Sequence, residues 1–180
     1  MATESKSSNH IVLVGFVGTG KTTVGRALAA RMGRDFIDTD AAVERRAGLT
    51  IADLFKRHGE AVFREHEAAV CRHLASRSGL VIATGAGALL AQPNREALMS
   101  RGRLVCLHAS LDELERRLEQ DVQRPLLTKE RSAAAPEPSL ASLYQGRAEV
   151  YASVALQVDT TGRQPNEVVD AIEEILAQIP

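Results

Sequence analysis

Short apolar runs recur along the chain, and helical patterns separate them. The clearest run, IVLVG at residues 11–15, is rich in β-branched residues and ends on glycine, which predicts a buried strand. Val24, Leu28 and Met32 then recur at helical spacing and predict a helix over residues 21–32. Further strands are predicted at residues 36–37, 80–84, 104–108 and 154–158, and further helices at 61–76, 111–119 and 165–179. This alternation predicts an α/β fold, with a parallel sheet covered by helices on both faces.

Two stretches interrupt the alternation. Residues 40–67 add helical patterns between the second and third predicted strands, and we interpret them as a substrate-holding insertion. Residues 120–138, which include RPLL and AAAPEP, lack apolar periodicity and are predicted to form a mobile lid; an inert surface loop is the alternative. Residues 1–10 are polar and are predicted to be a disordered tail, so residues 11–180 are expected to form a single domain.

Composition narrows the classes of partner. The formal net charge of the 180 residues is −1, so bulk charge gives no reason to expect a nucleic acid or an anionic membrane as partner. Cys71 and Cys106 lie in apolar runs without CxxC spacing and are predicted to be reduced, buried thiols. The polar amino terminus lacks the apolar segment of a secretory signal, and no run is long enough to cross a bilayer. We therefore expect a cytoplasmic protein.

The segment GFVGTGKT at residues 15–22 fits the phosphate-binding pattern G-x-x-x-x-G-K-[ST] at every position. Its glycines allow a tight turn whose N–H groups point into one concavity, at the positive end of the predicted helix. Lys21 is expected to reach the β- and γ-phosphates of a nucleotide, and the Thr22 hydroxyl to coordinate Mg²⁺. Residues 11–38 are therefore predicted to be the P-loop core. The motif alone fits a kinase, an NTPase motor or a GTP switch.

Carboxylates at the strand ends favour a kinase. Ligands of α/β sheets lie beyond the carboxyl ends of the strands, and only FIDTD supplies two acids there, Asp38 and Asp40. We expect this strand beside the P-loop strand, with both carboxylates on one side if the chain stays extended. Asp38 would then anchor Mg²⁺, and Asp40 would take the proton of an attacking hydroxyl. The alternative is that Asp40 only caps the helix that begins at Ala41. No NKxD motif supports a GTP switch.

A predicted helix places one arginine between two acids. Arg64 follows Glu60 by four residues and precedes Glu67 by three, so the three side chains share a helical face. A guanidinium oriented by Glu67 presents a planar fork that suits a carboxylate ligand.

Two further arginines are candidates for ligand contacts. Arg124 opens RPLL in the predicted lid and is expected to reach the γ-phosphate, and Arg147 lies one turn before Tyr151 in RAEVY. Taken singly, each would be an ordinary solvated surface residue. Together, Asp40, Arg64 and Arg147 favour a carboxylated polyol as phosphate acceptor over a nucleotide.

Seven blocks, in order and with matching spacing, make the chain resemble the shikimate kinases from residue 11 to about residue 179. They are GFVGTGKTTVGRALA, FIDTDAAVE, GEAVFREHE, TGAGA, QRPLL, RAEVY and VDTTGRQP. The resemblance implies a P-loop NTPase of the nucleoside-monophosphate-kinase-like, three-layer fold, with strand order 2-3-1-4-5. It also implies a lid and an acceptor-binding insertion at residues 40–67. The implied reaction is phosphorylation of shikimate by ATP to shikimate 3-phosphate, on the route to chorismate and the aromatic amino acids.

The resemblance also assigns roles by position. Asp40 would bind two shikimate hydroxyls and act as base, with Lys21 and Arg124 as the other catalytic residues. Arg117 and Pro165 would enclose the adenine, with Arg163 beside them. The implied ATP-binding residues are Gly18, Thr19, Gly20, Lys21, Thr22, Thr23, Arg117, Arg124, Arg163 and Pro165; the acceptor-binding residues are Asp40, Arg64, Gly85, Ala86, Gly87 and Arg147; and the ligands of one Mg²⁺ ion are Thr22 and Asp38. We expect a cytoplasmic monomer with ATP and shikimate as its small-molecule partners.

One position departs from the family pattern. The family has three consecutive glycines where this chain reads Gly85-Ala86-Gly87. If the middle residue needs a positive φ, alanine would cost about 1 kcal/mol there, and its methyl group could narrow the acceptor pocket. The alternatives are therefore a same-fold kinase for gluconate or another hydroxy acid, and a catalytically silent ligand-binding module. The silent module is disfavoured because Lys21, Asp40 and Arg124 are all retained.

Overall fold

The predicted strands form one parallel sheet in the computed structural model of the chain, which describes residues 9–120 and 139–179. The strands are β1 (His10–Val14), β2 (Phe36–Asp38), β3 (Val81–Ala83), β4 (Gly102–His108) and β5 (Leu156–Asp159). Their order is β2-β3-β1-β4-β5, which confirms the order that the family resemblance implies. β1 is central, with Val12 opposite Ile82 of β3 and Leu104 of β4.

The strand that carries Asp38 is not beside the P-loop strand, so that expectation is wrong. β3 lies between β1 and β2, and within the described residues β2 is an edge strand that pairs with β3 alone. The crossover from β1 to β2 skips one position in the sheet, and β3 fills it when the chain returns. The acids still lie at the same sheet edge as the P-loop, because the carboxyl ends of parallel strands meet there.

Helices cover both faces of the sheet. They are α1 (Lys21–Met32), α2 (Thr39–Ala47), α3 (Ile51–Ala75), α4 (Gln92–Met99), α5 (Leu111–Gln120), α6 (Leu140–Ala152) and α7 (Pro165–Ala177), with a 3₁₀ helix at Ala88–Leu90. The bounds of α1 match the sequence prediction. α3 begins ten residues earlier than the predicted helix at 61, and Gly59, with φ 80° and ψ 176°, kinks it. α4 lacks a strong apolar period and escapes sequence prediction.

Two apolar cores flank the central strand. Ile11 and Leu13 point to the side covered by α1 and α7, where Val24, Leu28 and Ile172 are buried. The alternate residues Val12 and Val14 point to the side covered by α2–α6. Both faces of β1 are therefore buried, which is why its sequence is an unbroken apolar run rather than an alternating one. The three-layer prediction is confirmed.

The remaining predictions about chain organisation have mixed outcomes. The strand that we predict from residue 11 begins at His10, which is buried, so the tail prediction is wrong at that residue; residues 1–8 lie outside the described residues. Gln120 ends α5, and the rest of the predicted lid, 121–138, also lies outside them. Cys71 and Cys106 are free and buried, as predicted, and burial raises the pKa of each thiol, to about 12 and about 11. Within the described ranges, no helix is both long and apolar enough to span a membrane.

His10 ties three elements together at the amino end of β1. Its ring nitrogen Nε2 lies 3.0 Å from the carbonyl oxygen of Leu74, and the backbone N–H of Leu80 donates to Nδ1 at 3.1 Å. Since Nδ1 accepts, the proton of the neutral ring is on Nε2, and both nitrogens are satisfied. Burial holds the pKa of His10 below its usual 6.5, so the folded protein keeps this ring neutral.

The buried His10 predicts a loss of stability in mild acid. Below pH 6.5 the unfolded chain protonates this ring more readily than the folded protein does, so the free energy of unfolding should fall as pH drops. In His10→Gln, whose amide can make the same two hydrogen bonds, the fall between pH 8 and pH 5.5 should be smaller. Urea unfolding at both pH values measures this difference. An equal fall in the two proteins would contradict the prediction.

Candidate active site

The Lys21 side chain folds back onto the phosphate loop. Gly18 and Gly20 have φ of 82° and 89°, values that other residues rarely adopt, and they turn the chain into α1. The Lys21 ammonium donates to the carbonyl oxygens of Gly15 and Phe16, at 2.8 Å each. Because Gly20 occupies the N-cap position, no capping side chain covers the first N–H groups of α1. These groups and the helix dipole form the positive end that an anion binds.

The two candidate magnesium ligands touch each other. The Thr22 hydroxyl donates to Asp38 Oδ2 at 2.8 Å. The other carboxylate oxygen of Asp38 accepts from the backbone N–H groups of Asp40 and Ala41, at 3.0 and 3.3 Å. A hydroxyl and a carboxylate side by side at a phosphate loop are the oxygen donors that suit Mg²⁺. The residues present therefore fit this ion.

These contacts correct two points about the acidic pair: the alternative in which Asp40 caps the helix, and the extended chain through both acids. Asp38, not Asp40, is the N-cap residue, and α2 begins at Thr39 rather than at Ala41. The chain does not stay extended through Asp40, because the cap formed by Asp38 starts the helix immediately. Asp40 thus lies in the first turn of α2, where the helix dipole favours its negative charge.

The acceptor candidates converge on the turn at Gly85–Gly87, which follows β3. A methyl group on Gly85 would overlap Asp40 Oδ1, and one on Gly87 would lie 3.0 Å from Arg64 Nη1. The Asp40 carboxylate and the Arg64 guanidinium therefore lie directly against the glycine backbone. They occupy space that a side chain at residue 85 or 87 would need. The turn is fixed to α2 as well, since the N–H of Gly85 donates to the buried Thr39 hydroxyl at 2.9 Å.

Arg64 is held by acids on its own helix. Its Nη1 donates to Glu67 at 2.9 Å, and Nε and Nη2 donate to Glu60 at 3.2 and 3.1 Å. Although burial works to lower the pKa of Arg64, these two carboxylates hold it above its usual value. Glu67 is almost fully buried and also accepts from the amide of Asn94 at 3.4 Å. Asn94 belongs to α4, and no pattern in the sequence identifies it as a partner of Glu67.

Ala86 does not need the conformation that would penalise alanine. Among the described residues only glycines have positive φ, so Ala86 sits in ordinary backbone space and the suspected strain is absent. Its carbonyl oxygen accepts from the Tyr151 hydroxyl and lies 3.5 Å from Arg147 Nη1. The guanidinium of Arg147 also stacks on the ring of Phe16 in the phosphate loop, 5.5 Å from its centroid. Sequence reasoning identifies Arg147 and misses the hydroxyl of Tyr151.

Two of the candidates for the base of the nucleotide, Arg117 and Arg163, contact Thr160. Arg117 donates to the Thr160 carbonyl at 2.6 Å and to the Gly18 carbonyl at 3.2 Å, while Glu113 accepts from its Nε at 2.7 Å. The guanidinium groups of Arg116 and then Arg117 hold the pKa of Glu113 at about 2, so this carboxylate stays charged.

The other nucleotide candidates differ in their surroundings. Arg163 has an exposed side chain, its backbone N–H donates to Thr160, and half-buried Pro165 begins α7. The Thr19 side chain turns into the phosphate loop and donates to Phe16 at 2.8 Å, while Thr23 is exposed in the first turn of α1. Arg124 lies outside the described residues.

A phosphate loop after the central strand of a 2-3-1-4-5 parallel sheet is the architecture of P-loop kinases of the nucleoside-monophosphate-kinase-like fold. A model of the shikimate kinase family matches residues 17–177. The shikimate kinase of Geobacter sulfurreducens is 45% identical over 91% of this chain and 88% of its own, and that of Chromobacterium violaceum is 41% identical over 100% and 96%. The solved Acinetobacter baumannii shikimate kinase in complex with shikimate has a TM-score of 0.85 and 38% identity, over 96% of this chain and 94% of that one. The chain belongs to the shikimate kinase family.

The close approach at Gly85 predicts a sharp contrast between two neighbouring substitutions. In Gly85→Ala the new methyl group displaces the carboxylate of Asp40, the candidate base, so kcat/KM for shikimate should fall by about 10²-fold, the usual cost of misplacing such a group. Ala86→Gly, the matched control, restores the family residue and should stay close to wild type. Steady-state kinetics with shikimate, alongside thermal unfolding of each variant, measures the contrast. Equal activities in the two variants would contradict it.

Proposed function

We propose that the chain transfers the γ-phosphate of ATP to the 3-hydroxyl of shikimate, giving shikimate 3-phosphate and ADP. Membership of the shikimate kinase family supports this reaction, as does the likeness to a relative solved with shikimate bound. The product lies on the route to chorismate and the aromatic amino acids. The observation that carries the proposal is the convergence of Asp40 and Arg64 on the Gly85–Gly87 turn.

On the acceptor side, Asp40 receives the proton of the attacking hydroxyl and holds the ring in place. A carboxylate acting as general base must lie within hydrogen-bond reach of that proton, and the Asp40 carboxylate lies directly against Gly85 of the acceptor turn. Arg64, oriented by Glu60 and Glu67, binds the acceptor carboxylate together with Arg147, whose guanidinium lies near the Ala86 carbonyl. The backbone of residues 85–87 completes this side of the pocket.

On the donor side, the loop and the first turn of α1, residues 18–23, surround the phosphates of ATP. Lys21 leaves its carbonyl partners to neutralise charge on the transferred group. Thr22 and Asp38 hold one Mg²⁺ ion, which supplies charge neutralisation at the phosphate oxygens when bound. Arg117, Arg163 and Pro165 border the adenine. Arg124 is proposed, from the family resemblance alone, as a further cation for the γ-phosphate.

The reaction is tested by mixing purified protein with Mg·ATP and either shikimate or gluconate. We expect ADP release and a phosphorylated product with shikimate, and only background release with gluconate, because gluconate lacks the ring. Coupled ADP detection and mass spectrometry of the product give the two readouts. Faster turnover of gluconate would overturn the assignment of the acceptor, and ATP binding without transfer to any acceptor would favour a silent module.

The proposed base predicts the behaviour of Asp40→Asn. The amide keeps the shape and a hydrogen-bonding oxygen but accepts no proton, so kcat should fall by about 10²-fold or more. Asp159→Asn is the matched control. Asp159 also lies at a strand end, but its carboxylate accepts a hydrogen bond from the backbone N–H of Thr161. A rise in KM for shikimate with unchanged kcat would show that Asp40 only positions the acceptor.

The proposed phosphate contact predicts loss of turnover in Lys21→Met. Methionine fills a similar volume without charge, so transition-state stabilisation at the γ-phosphate is lost while the loop glycines remain. Single-turnover phosphoryl transfer from ATP to shikimate measures this loss. A near-normal kcat would refute the role of Lys21.

A further inference from the structure

One face of α6 contacts both substrate loops. Tyr144, Arg147 and Tyr151 lie at intervals of three and four residues, so they share this face. Tyr144 meets the Phe16 ring of the phosphate loop edge-on, with ring centroids 5.4 Å apart, and Arg147 stacks on the same ring. One turn further along, Tyr151 reaches the acceptor turn at Ala86. The helix therefore spans from the donor side to the acceptor side.

The carbonyl of Ala86 is the part of the acceptor turn that depends on α6. The carbonyl oxygens on either side of it are bonded locally: those of Gly85 and Gly87 accept from the N–H groups of Ala88 and Leu90, both at 3.1 Å. The Ala86 oxygen instead accepts from the Tyr151 hydroxyl and lies within 3.5 Å of Arg147. The orientation of this peptide group therefore depends on a residue 65 positions away in the sequence.

Tyr151 joins this face of α6 to the apolar core, and Leu143, Tyr144 and Val150 pack against the same core. A pocket of about 220 Å³ borders the face, lined in part by Cys106, His108, Tyr144, Tyr151 and Gln157. The Tyr151 ring is buried, and burial raises the pKa of its hydroxyl to about 12, so the group remains a hydrogen-bond donor at neutral pH.

We propose that Tyr151 is a positioning residue for the acceptor: its hydroxyl orients the Ala86 peptide group, and so sets the Gly85–Gly87 backbone against Asp40 and Arg64. This role rests on the proposed function. Tyr151 acts through the turn and does not touch the reacting atoms. Its loss should therefore affect the use of shikimate and leave the phosphate loop, and with it the use of ATP, largely unaltered.

The test compares Tyr151→Phe with Tyr144→Phe, two removals of one hydroxyl from the same helix. The Tyr144 hydroxyl has no hydrogen bond within the described part of the chain, so its removal controls for the loss of a hydroxyl from α6. In Tyr151→Phe we expect kcat/KM for shikimate to fall by about 3- to 10-fold, the scale of one net hydrogen bond. KM for ATP should stay near its wild-type value, and Tyr144→Phe should leave both constants near wild type.

Several outcomes separate this role from the alternatives. A lower Tm of Tyr151→Phe with unchanged KM and kcat for shikimate would make Tyr151 merely structural and overturn the proposal. Equal rises in KM for ATP and in KM for shikimate would also overturn it. Partial unfolding reduces the amount of active enzyme without changing KM, so the KM comparison remains decisive in an unstable variant. If the wild-type protein phosphorylates no shikimate, the proposed function itself fails, and this role fails with it.

Discussion

The carboxylate of Asp38 sets the geometry on which the rest of the site depends. One oxygen accepts from the Thr22 hydroxyl in the first turn of α1, and the other accepts two backbone N–H groups at the start of α2. The Asp38 carboxylate therefore joins the first turn of the phosphate-binding helix to the first turn of the helix that carries Asp40. A charged acceptor forms stronger hydrogen bonds than a neutral one, so this junction is well defined. It lies at the end of an edge strand, beside the third strand rather than the first.

The acceptor side follows from that junction. Because α2 begins at Thr39, the Thr39 hydroxyl meets the Gly85 backbone and the Asp40 carboxylate lies against the same residue. Arg64 reaches Gly87 from α3, held by Glu67 in the interior. A buried carboxylate is costly unless it is paired and hydrogen-bonded, and Glu67 has both Arg64 and Asn94. Contacts within the protein thus hold Arg64 in the proposed acceptor site.

Sequence predicts the parts of this site that depend on near neighbours in the chain. The phosphate loop, the bounds of α1 and the Glu60–Arg64–Glu67 face all follow from local spacing. The position of β2 depends on a strand formed some forty residues later, which no local pattern reports. Thr160 and Tyr151 contact partners 43 and 65 positions away, and polar residues of their kind are common on surfaces. Either aspartate of FIDTD could have capped α2, and only the end of the strand decides between them.

The alanine in the middle of the Gly-Ala-Gly turn has a physical explanation. The two outer positions are restricted by space, since a side chain at either would meet Asp40 or Arg64. The middle position does not require glycine. Ala86 has no positive φ, and its contribution to the site is a carbonyl oxygen that any residue carries. With alanine at this position, the hydrogen bond from the Tyr151 hydroxyl to the carbonyl is present. Three consecutive glycines are therefore more than this geometry requires, and the spacing of the two outer glycines is the constraint that the acceptor site imposes on the sequence.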